Sequence, residues 1–95
     1  NFISDTNQNI NELESSVSEH DWMAFRDQAH ALKGSSLYLG LTRLASLCRE
    51  AQDIEHDEFL EQGVRHLTGI RKAADTAFEL LQKKIAEQSS QEKSA

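Results

Sequence analysis

The sequence predicts an all-α protein: a single domain folded as an antiparallel, up-down-up-down four-helix bundle. Apolar residues recur at helical intervals along four segments, and no segment alternates apolar and polar residues as a half-buried strand does. The 95-residue chain also has no proline and only four glycines. Amphipathic helices joined by short connections bury their apolar stripes against one another, and an antiparallel bundle is the simplest way to do so.

The first two helices have clear ends. Apolar residues spaced three to four positions apart indicate a surface helix over roughly the first seventeen residues. Asp21 is placed to cap the second helix, because its carboxylate accepts from the free N–H groups of the following turn. This helix runs from Trp22 to about Leu39, and Gly40 supplies the left-handed conformation that commonly ends a helix.

The third and fourth helices complete the domain. Thr42 is placed to cap the third helix, which is expected to end near His56, and Asp57 is placed to cap the fourth. The bundle domain is therefore predicted over residues 1–87. Residues 88–95 are small and polar without an apolar period, which predicts a disordered tail.

The composition excludes several classes of function. The net charge of −6 argues against sequence-independent nucleic-acid binding, which needs clustered Lys and Arg. No stretch approaches the roughly 20 apolar residues that span a bilayer, so we expect no membrane contact by this domain. The single Cys48 cannot form an internal disulfide and lies on the apolar stripe of the third helix, which predicts a small core residue. Proteins are the expected partners, and the cytoplasm is the expected compartment.

His30 faces away from the apolar stripe of its own helix. At about 100° per residue, His30 falls well outside the stripe, whose members are Trp22, Phe25, Ala29, Leu32, Ser36 and Leu39. Lys33 and Gly34 follow three and four residues later, the spacings at which helical side chains are neighbours. A neutral imidazole is a nucleophile near neutral pH, and a lysine one turn away offsets the charge of a phosphoryl group bound to it. Gly34 removes a side chain that would stand between His30 and an approaching partner.

Four further residues are candidates for partner binding around His30. Met23 and Leu37 lie seven residues on either side, so they project from nearly the same angular position and would form an apolar collar. The alternative is that a flanking helix covers both of them. Arg26 and Asp27 lie one turn before His30, where charges would set the register of a docked partner.

Metal and nucleotide sites are not predicted. His20, His30, His56 and His66 form no pair at helical ligand spacing, and only one cysteine accompanies them. The chain has no P-loop and no glycine-rich kinase loop, so we expect no cofactor bound by this domain and no autonomous ATP-dependent kinase activity.

The residues around His30 resemble a known family. Similar features are Asp21-Trp22 opening the helix, the run from Ala29 to Ser36, Leu39-Gly40 closing it, and Leu44 to Cys48 in the next helix. Together they are similar to the histidine-containing phosphotransfer (HPt) domain. The resemblance implies a phosphorelay carrier, in which His30 accepts a phosphoryl group from a receiver-domain aspartate and passes it reversibly to another receiver. It also implies that the receiver supplies Mg²⁺, and that the isolated domain is a monomer.

Three alternatives concern the donor and the output. A chemotaxis-kinase-like phosphotransfer domain, with a similar H-x-x-K-G, would be phosphorylated directly by an ATP-binding domain in the same polypeptide. The dimerising hairpin of ordinary sensor kinases fits less well, because Ala31 follows His30 where that hairpin has an acidic residue, and the chain lacks its proline. A third alternative is a helical module that binds receivers without exchanging phosphate. Among larger contexts, we expect the C-terminal, cytoplasmic module of a hybrid sensor histidine kinase.

Overall fold

Helices account for nearly all of the described chain, and the predicted four-helix bundle is confirmed. The computed structural model describes the backbone of residues 2–94 and the side chains of residues 2–86. Its elements are α1 (Phe2–Ser18), α2 (Trp22–Tyr38), α3 (Thr42–Gln52), a 3₁₀ turn (His56–Glu58) and α4 (Phe59–Ser94). No helix within the described residues is long and apolar enough to cross a membrane.

Contacts between distant residues show how the helices pair. Near the start of α2, Arg26 donates to the carbonyl of Gln52 at the end of α3, and Trp22 donates to that of Ile54 just beyond it. The rings of Phe2 on α1 and Phe78 on α4 meet edge to face at 6.2 Å, while Glu14 near the other end of α1 pairs with Arg71. Neighbouring helices are therefore antiparallel, and α4 closes the bundle against α1 and α3.

The two ends of α2 are as predicted. The carboxylate of Asp21 accepts from the backbone N–H of Ala24 at 3.1 Å, which is the expected N-cap. Gly40 has φ of +74°, and its N–H donates to the carbonyl of Leu37 at 3.1 Å. The helix that carries His30 is thus fixed at both ends.

The predicted limits of α3 were wrong. Thr42 is its first residue and not its cap, and the preceding Leu41 makes no capping side-chain hydrogen bond. The helix ends at Gln52, and Asp57 lies inside the following 3₁₀ turn instead of capping α4. The backbone N–H of Asp53 caps the last turn of α3. Side chains of α2 then donate to the next free carbonyls, Arg26 to that of Gln52 and Trp22 to that of Ile54, so the helix need not continue to His56.

Helix α4 runs further than the apolar pattern predicts. Its backbone continues to Ser94, whereas the stripe ends near residue 87. Gly69 is the last glycine and the chain has no proline, so nothing beyond the stripe breaks the helix. The side chains of residues 87–95 lie outside the described residues, and the predicted boundary between domain and tail stays a prediction.

The core contains most of the residues that the apolar stripes predict. Leu39 is an exception: it was placed on the stripe of α2, but it lies after the end of that helix and is 42% exposed. Phe25, Leu32, Leu44 and Cys48 are among the side chains that are fully or almost fully buried. Ser36 is also buried and donates to the carbonyl of Leu32 at 2.8 Å, so its hydroxyl is satisfied within α2. The core fixes which face of α2 points inward.

Cys48 is a free thiol that is buried in the core. Its burial has a consequence for the reactivity of the thiol. It raises the pKa of the thiol from an ordinary 9.0 to about 12, and the charge of Lys33 acts in the opposite direction with a smaller effect. We predict that the folded domain does not react with a disulfide reagent such as DTNB at about pH 8, and that reaction follows unfolding in guanidinium, because the thiolate is the reactive form. Because the folded pKa is raised, the thiol's contribution to stability is complete below about pH 9 and disappears as the pH rises toward about 12. Rapid labelling of the native domain would contradict this.

Candidate functional site

His30 lies on the exposed face of α2, opposite the core. Phe25, Ala29 and Leu32 on the same helix are buried, whereas the His30 side chain is exposed to solvent. The orientation follows from the helical period, because the core residues recur every three to four positions and His30 falls outside them. The imidazole is therefore accessible to a partner molecule.

Gln52 contacts the imidazole from the neighbouring helix. The side-chain Nε2 of Gln52 lies 3.1 Å from Nδ1 of His30, within hydrogen-bond distance. The other amide atom of Gln52, Oε1, is buried without a hydrogen-bond partner. Among the described residues, no hydrogen bond engages the second ring nitrogen of His30, Nε2. The contact thus distinguishes the two nitrogens: Nδ1 faces the protein and Nε2 remains free.

Two side chains of α2 hold the end of α3 where Gln52 lies. Arg26 donates from Nε to the carbonyl of Gln52 at 3.2 Å, and Trp22 donates from its indole N–H to the carbonyl of Ile54 at 2.7 Å. The guanidinium of Arg26 also lies over the Trp22 ring, 4.8 Å from its centroid. These contacts join the end of α3 to α2 and help to position Gln52 relative to His30. Arg26 therefore has a role inside the bundle, and its predicted contact with a partner stays a prediction.

A cationic groove lies beside His30 between α2 and α3. Its volume is about 400 Å³, and its lining residues are Lys33, Leu37, Thr42, Ala45, Ser46 and Arg49. Lys33 is half-buried, and its charge acts to lower the pKa of the Cys48 thiol on α3. Within the described residues, no ion pair engages Lys33 or Arg49.

The surface around His30 is open and partly apolar. A Cβ atom added to Gly34 would meet nothing within 4 Å, so the glycine leaves free space beside the imidazole. Met23 is 59% exposed and Leu37 is 57% exposed. The alternative that a flanking helix covers these two residues was therefore wrong. Asp27 is also exposed, and all three are accessible to a docked partner.

The other histidines do not join this site. His20 lies in the turn before α2 with φ of +57°, and His56 packs edge to face against Trp22 with ring centroids 5.3 Å apart. His66 contacts the carbonyl of Gln62 on its own helix through Nδ1 at 2.9 Å. In the part of the chain that the structure describes, no three His, Cys, Asp or Glu side chains lie close enough to hold a metal ion.

Sequence reasoning missed Gln52 and Arg49. Both residues lie on α3, whereas the H-x-x-K-G run lies on α2. They come near that run only because the two helices pack against each other. A signal was present, because positions 42, 45, 49 and 52 form a stripe beside the core stripe of α3. Only the antiparallel register shows which residues of α2 this stripe faces.

The fold and the site together define a class: a small antiparallel helical bundle with an accessible histidine in the middle of one helix, and lysine and glycine one turn further along the same helix. The chain belongs to the Hpt domain family, whose model matches residues 1–90. Membership makes this a domain of histidine phosphotransfer in two-component signalling, a family whose members interact with receiver domains and kinases. Comparisons with curated proteins and with solved structures give no significant match.

Proposed function

We propose that His30 is the phosphoryl-accepting residue of a phosphorelay, loaded by the phosphoaspartate of one receiver domain and unloaded to the aspartate of another. The contact between Gln52 and Nδ1 of His30 carries this proposal, because it occupies Nδ1 and leaves Nε2 as the nitrogen that a partner can reach on the exposed face of α2. The domain then works as the cytoplasmic C-terminal module of a hybrid sensor kinase.

The transfer step exchanges one bond to phosphorus for another. The lone pair of His30 Nε2 forms the N–P bond as the O–P bond to the receiver aspartate breaks, and the departing electron pair stays on the carboxylate. The ring keeps its proton on Nδ1, so the product is a phosphoimidazolium. Return to a second receiver is the same exchange in reverse.

In this proposal, the orientation of the Gln52 amide decides which tautomer of His30 is present, and rotation of the amide gives the reactive one. As placed, its Nε2 donates to Nδ1, which puts the ring proton on the nitrogen that must attack. A half-turn of the amide brings the buried, unpartnered Oε1 against Nδ1. Oε1 then accepts from Nδ1–H, frees the lone pair on Nε2 and stabilises the proton that the phosphorylated ring carries.

The receiver supplies most of the positive charge that neutralises the phosphoryl oxygens during transfer. Transfer of a phosphoryl group depends on positioning and on cations that neutralise its oxygens. This domain offers Lys33, while the receiver brings Mg²⁺ with its phosphorylated aspartate. Gly34, Met23 and Leu37 form the surface on which the receiver rests, with Asp27 at its edge.

The test uses a panel of purified receiver domains that are phosphorylated with acetyl phosphate and freed of the reagent. Mixing each with this domain and Mg²⁺ should move the phosphoryl group to His30, seen by intact mass and by peptide mapping at neutral pH. The new linkage should be lost in acid and kept in base. Phosphohistidine formed only with ATP and a kinase domain would favour the chemotaxis-kinase-like alternative. Receiver binding without phosphohistidine from any donor would favour the non-transferring module.

We predict that Gln52→Met lowers the rate of transfer at saturating receiver about fivefold, because a neutral hydrogen bond contributes about 1 kcal/mol. Methionine keeps the length of the side chain and cannot bond to Nδ1. Receiver affinity should not change, and ¹⁵N NMR of the ring should show a smaller share of the Nδ1–H tautomer. Gln52→Glu keeps an acceptor oxygen and should retain that tautomer. Gln82→Met, at an exposed position of α4, is the control; equal rates for all variants would refute this role of Gln52.

A further inference from the structure

Two cationic side chains line the groove between α2 and α3, and neither forms an ion pair with another described residue. Lys33 and Arg49 lie on its two walls, and the hydroxyls of Thr42 and Ser46 also line it. None of its lining residues is acidic, although the chain has a net charge of −6. A site with two cations, two hydroxyl donors and no carboxylate has the chemistry of a site for an anion.

The register of the helices places this groove one helical turn from the contact between His30 and Gln52. Lys33 lies one turn after His30 on α2, and Arg49 lies one turn before Gln52 on α3. Gln52 touches the imidazole, and the two helices are antiparallel. Going forward along α2 from His30 to Lys33 and backward along α3 from Gln52 to Arg49 is therefore movement in the same direction. Lys33 and Arg49 therefore lie at the same level of the helix pair, one turn from the imidazole.

We propose that Arg49 is a second phosphoryl-binding cation, which acts with Lys33 to hold the oxygens of the phosphoryl group on His30. The inference rests on the proposed function, since it requires His30 to be phosphorylated. A guanidinium presents paired N–H donors that match two phosphoryl oxygens, which the single ammonium of Lys33 does not.

Arg49 should protect the phosphorylated state against water. In hydrolysis, a water oxygen bonds to phosphorus as the P–N bond breaks, the imidazole recovers its electron pair and inorganic phosphate leaves. The transition state of such transfers is loose. A cation bound to the fully charged oxygens of the ground state then stabilises that state more than the transition state, which slows the loss of phosphate.

The test needs only the domain and phosphoramidate, a small donor whose N–P bond breaks as Nε2 forms its bond to phosphorus and ammonia leaves. After loading and desalting, ³¹P NMR measures the half-life of phosphohistidine and the pH at which the phosphoryl group titrates. Arg49→Gln should shorten the half-life about threefold to tenfold, the range expected for one charge-assisted contact, and should move the titration to higher pH. Arg49→Lys should bring the half-life and the titration pH part of the way back to the wild-type values.

Arg43→Gln is the matched control, because Arg43 is also exposed on α3 but does not line this groove. It should leave the half-life and the titration unchanged. If the wild-type domain loads and Arg49→Gln behaves like it in both measurements, the inference about Arg49 fails while the proposed function stands. If the wild-type domain loads at no histidine, from phosphoramidate or from any receiver, both fail.

Discussion

Replacing His30 with glutamine should lower phosphoryl transfer at least about a thousandfold, the order of loss that follows removal of a nucleophile. The amide of glutamine has no lone pair of comparable basicity to attack phosphorus. The side chain of His30 is exposed, so its replacement opens no cavity in the core. The variant should keep the helical circular dichroism and the urea midpoint of the parent. The rate is measured as phosphoryl transferred from a labelled receiver in Mg²⁺, with neutral work-up.

Measuring receiver affinity shows whether His30→Gln has lost the chemical step or has lost the ability to dock. His30→Gln should still bind the receiver with an affinity close to that of the wild type, because Met23, Gly34 and Leu37 remain in place. His66→Gln is the control, since His66 lies on α4 away from this surface and should transfer at the parent rate. Transfer by His30→Gln at the parent rate would refute the assignment of the nucleophile.

The helical period was sufficient to predict the part of the site that lies on one helix. His30, Lys33 and Gly34 are neighbours because they are three and four residues apart, and the core stripe fixes the direction in which they point. The same reasoning could not decide whether Met23 and Leu37 are exposed or covered by a neighbouring helix. The helical period gives their angle on α2 but not the position of the other helices. Their exposure was decided by the packing of the bundle.

The part of the site contributed by α3 depends on tertiary structure. Gln52 meets His30 across a separation of 22 residues. The backbone N–H of Asp53 caps the end of α3, and hydrogen bonds from Trp22 and Arg26 of α2 to the carbonyls of Ile54 and Gln52 add a tertiary contribution. Local signals therefore placed the end of α3 too late, near His56. Once the register of two helices decides a contact, periodicity within either helix cannot predict it.

Substitution of Gly34 should have opposite effects on stability and on function. Glycine inside a helix costs about 1 kcal/mol relative to alanine, and a Cβ at this position meets nothing within 4 Å. Gly34→Ala should therefore raise the free energy of unfolding by about 1 kcal/mol, and Gly34→Gln by somewhat less. Urea unfolding followed by circular dichroism measures both. If the fold required glycine at position 34, both variants would instead be less stable than the parent.

Transfer should fall as the side chain at position 34 grows. A partner aspartate must bring its phosphorus close to Nε2 of His30, and a displacement of about 1 Å can cost about a hundredfold in rate. Gly34→Gln should approach that loss and weaken receiver binding, while Gly34→Ala should lose less. Gly69 on α4 supplies the matched control, because a Cβ there also meets nothing within 4 Å. Gly69→Gln should stabilise the bundle as much as Gly34→Gln and transfer at the parent rate. Parent-like transfer by Gly34→Gln would mean that the receiver does not approach over Gly34.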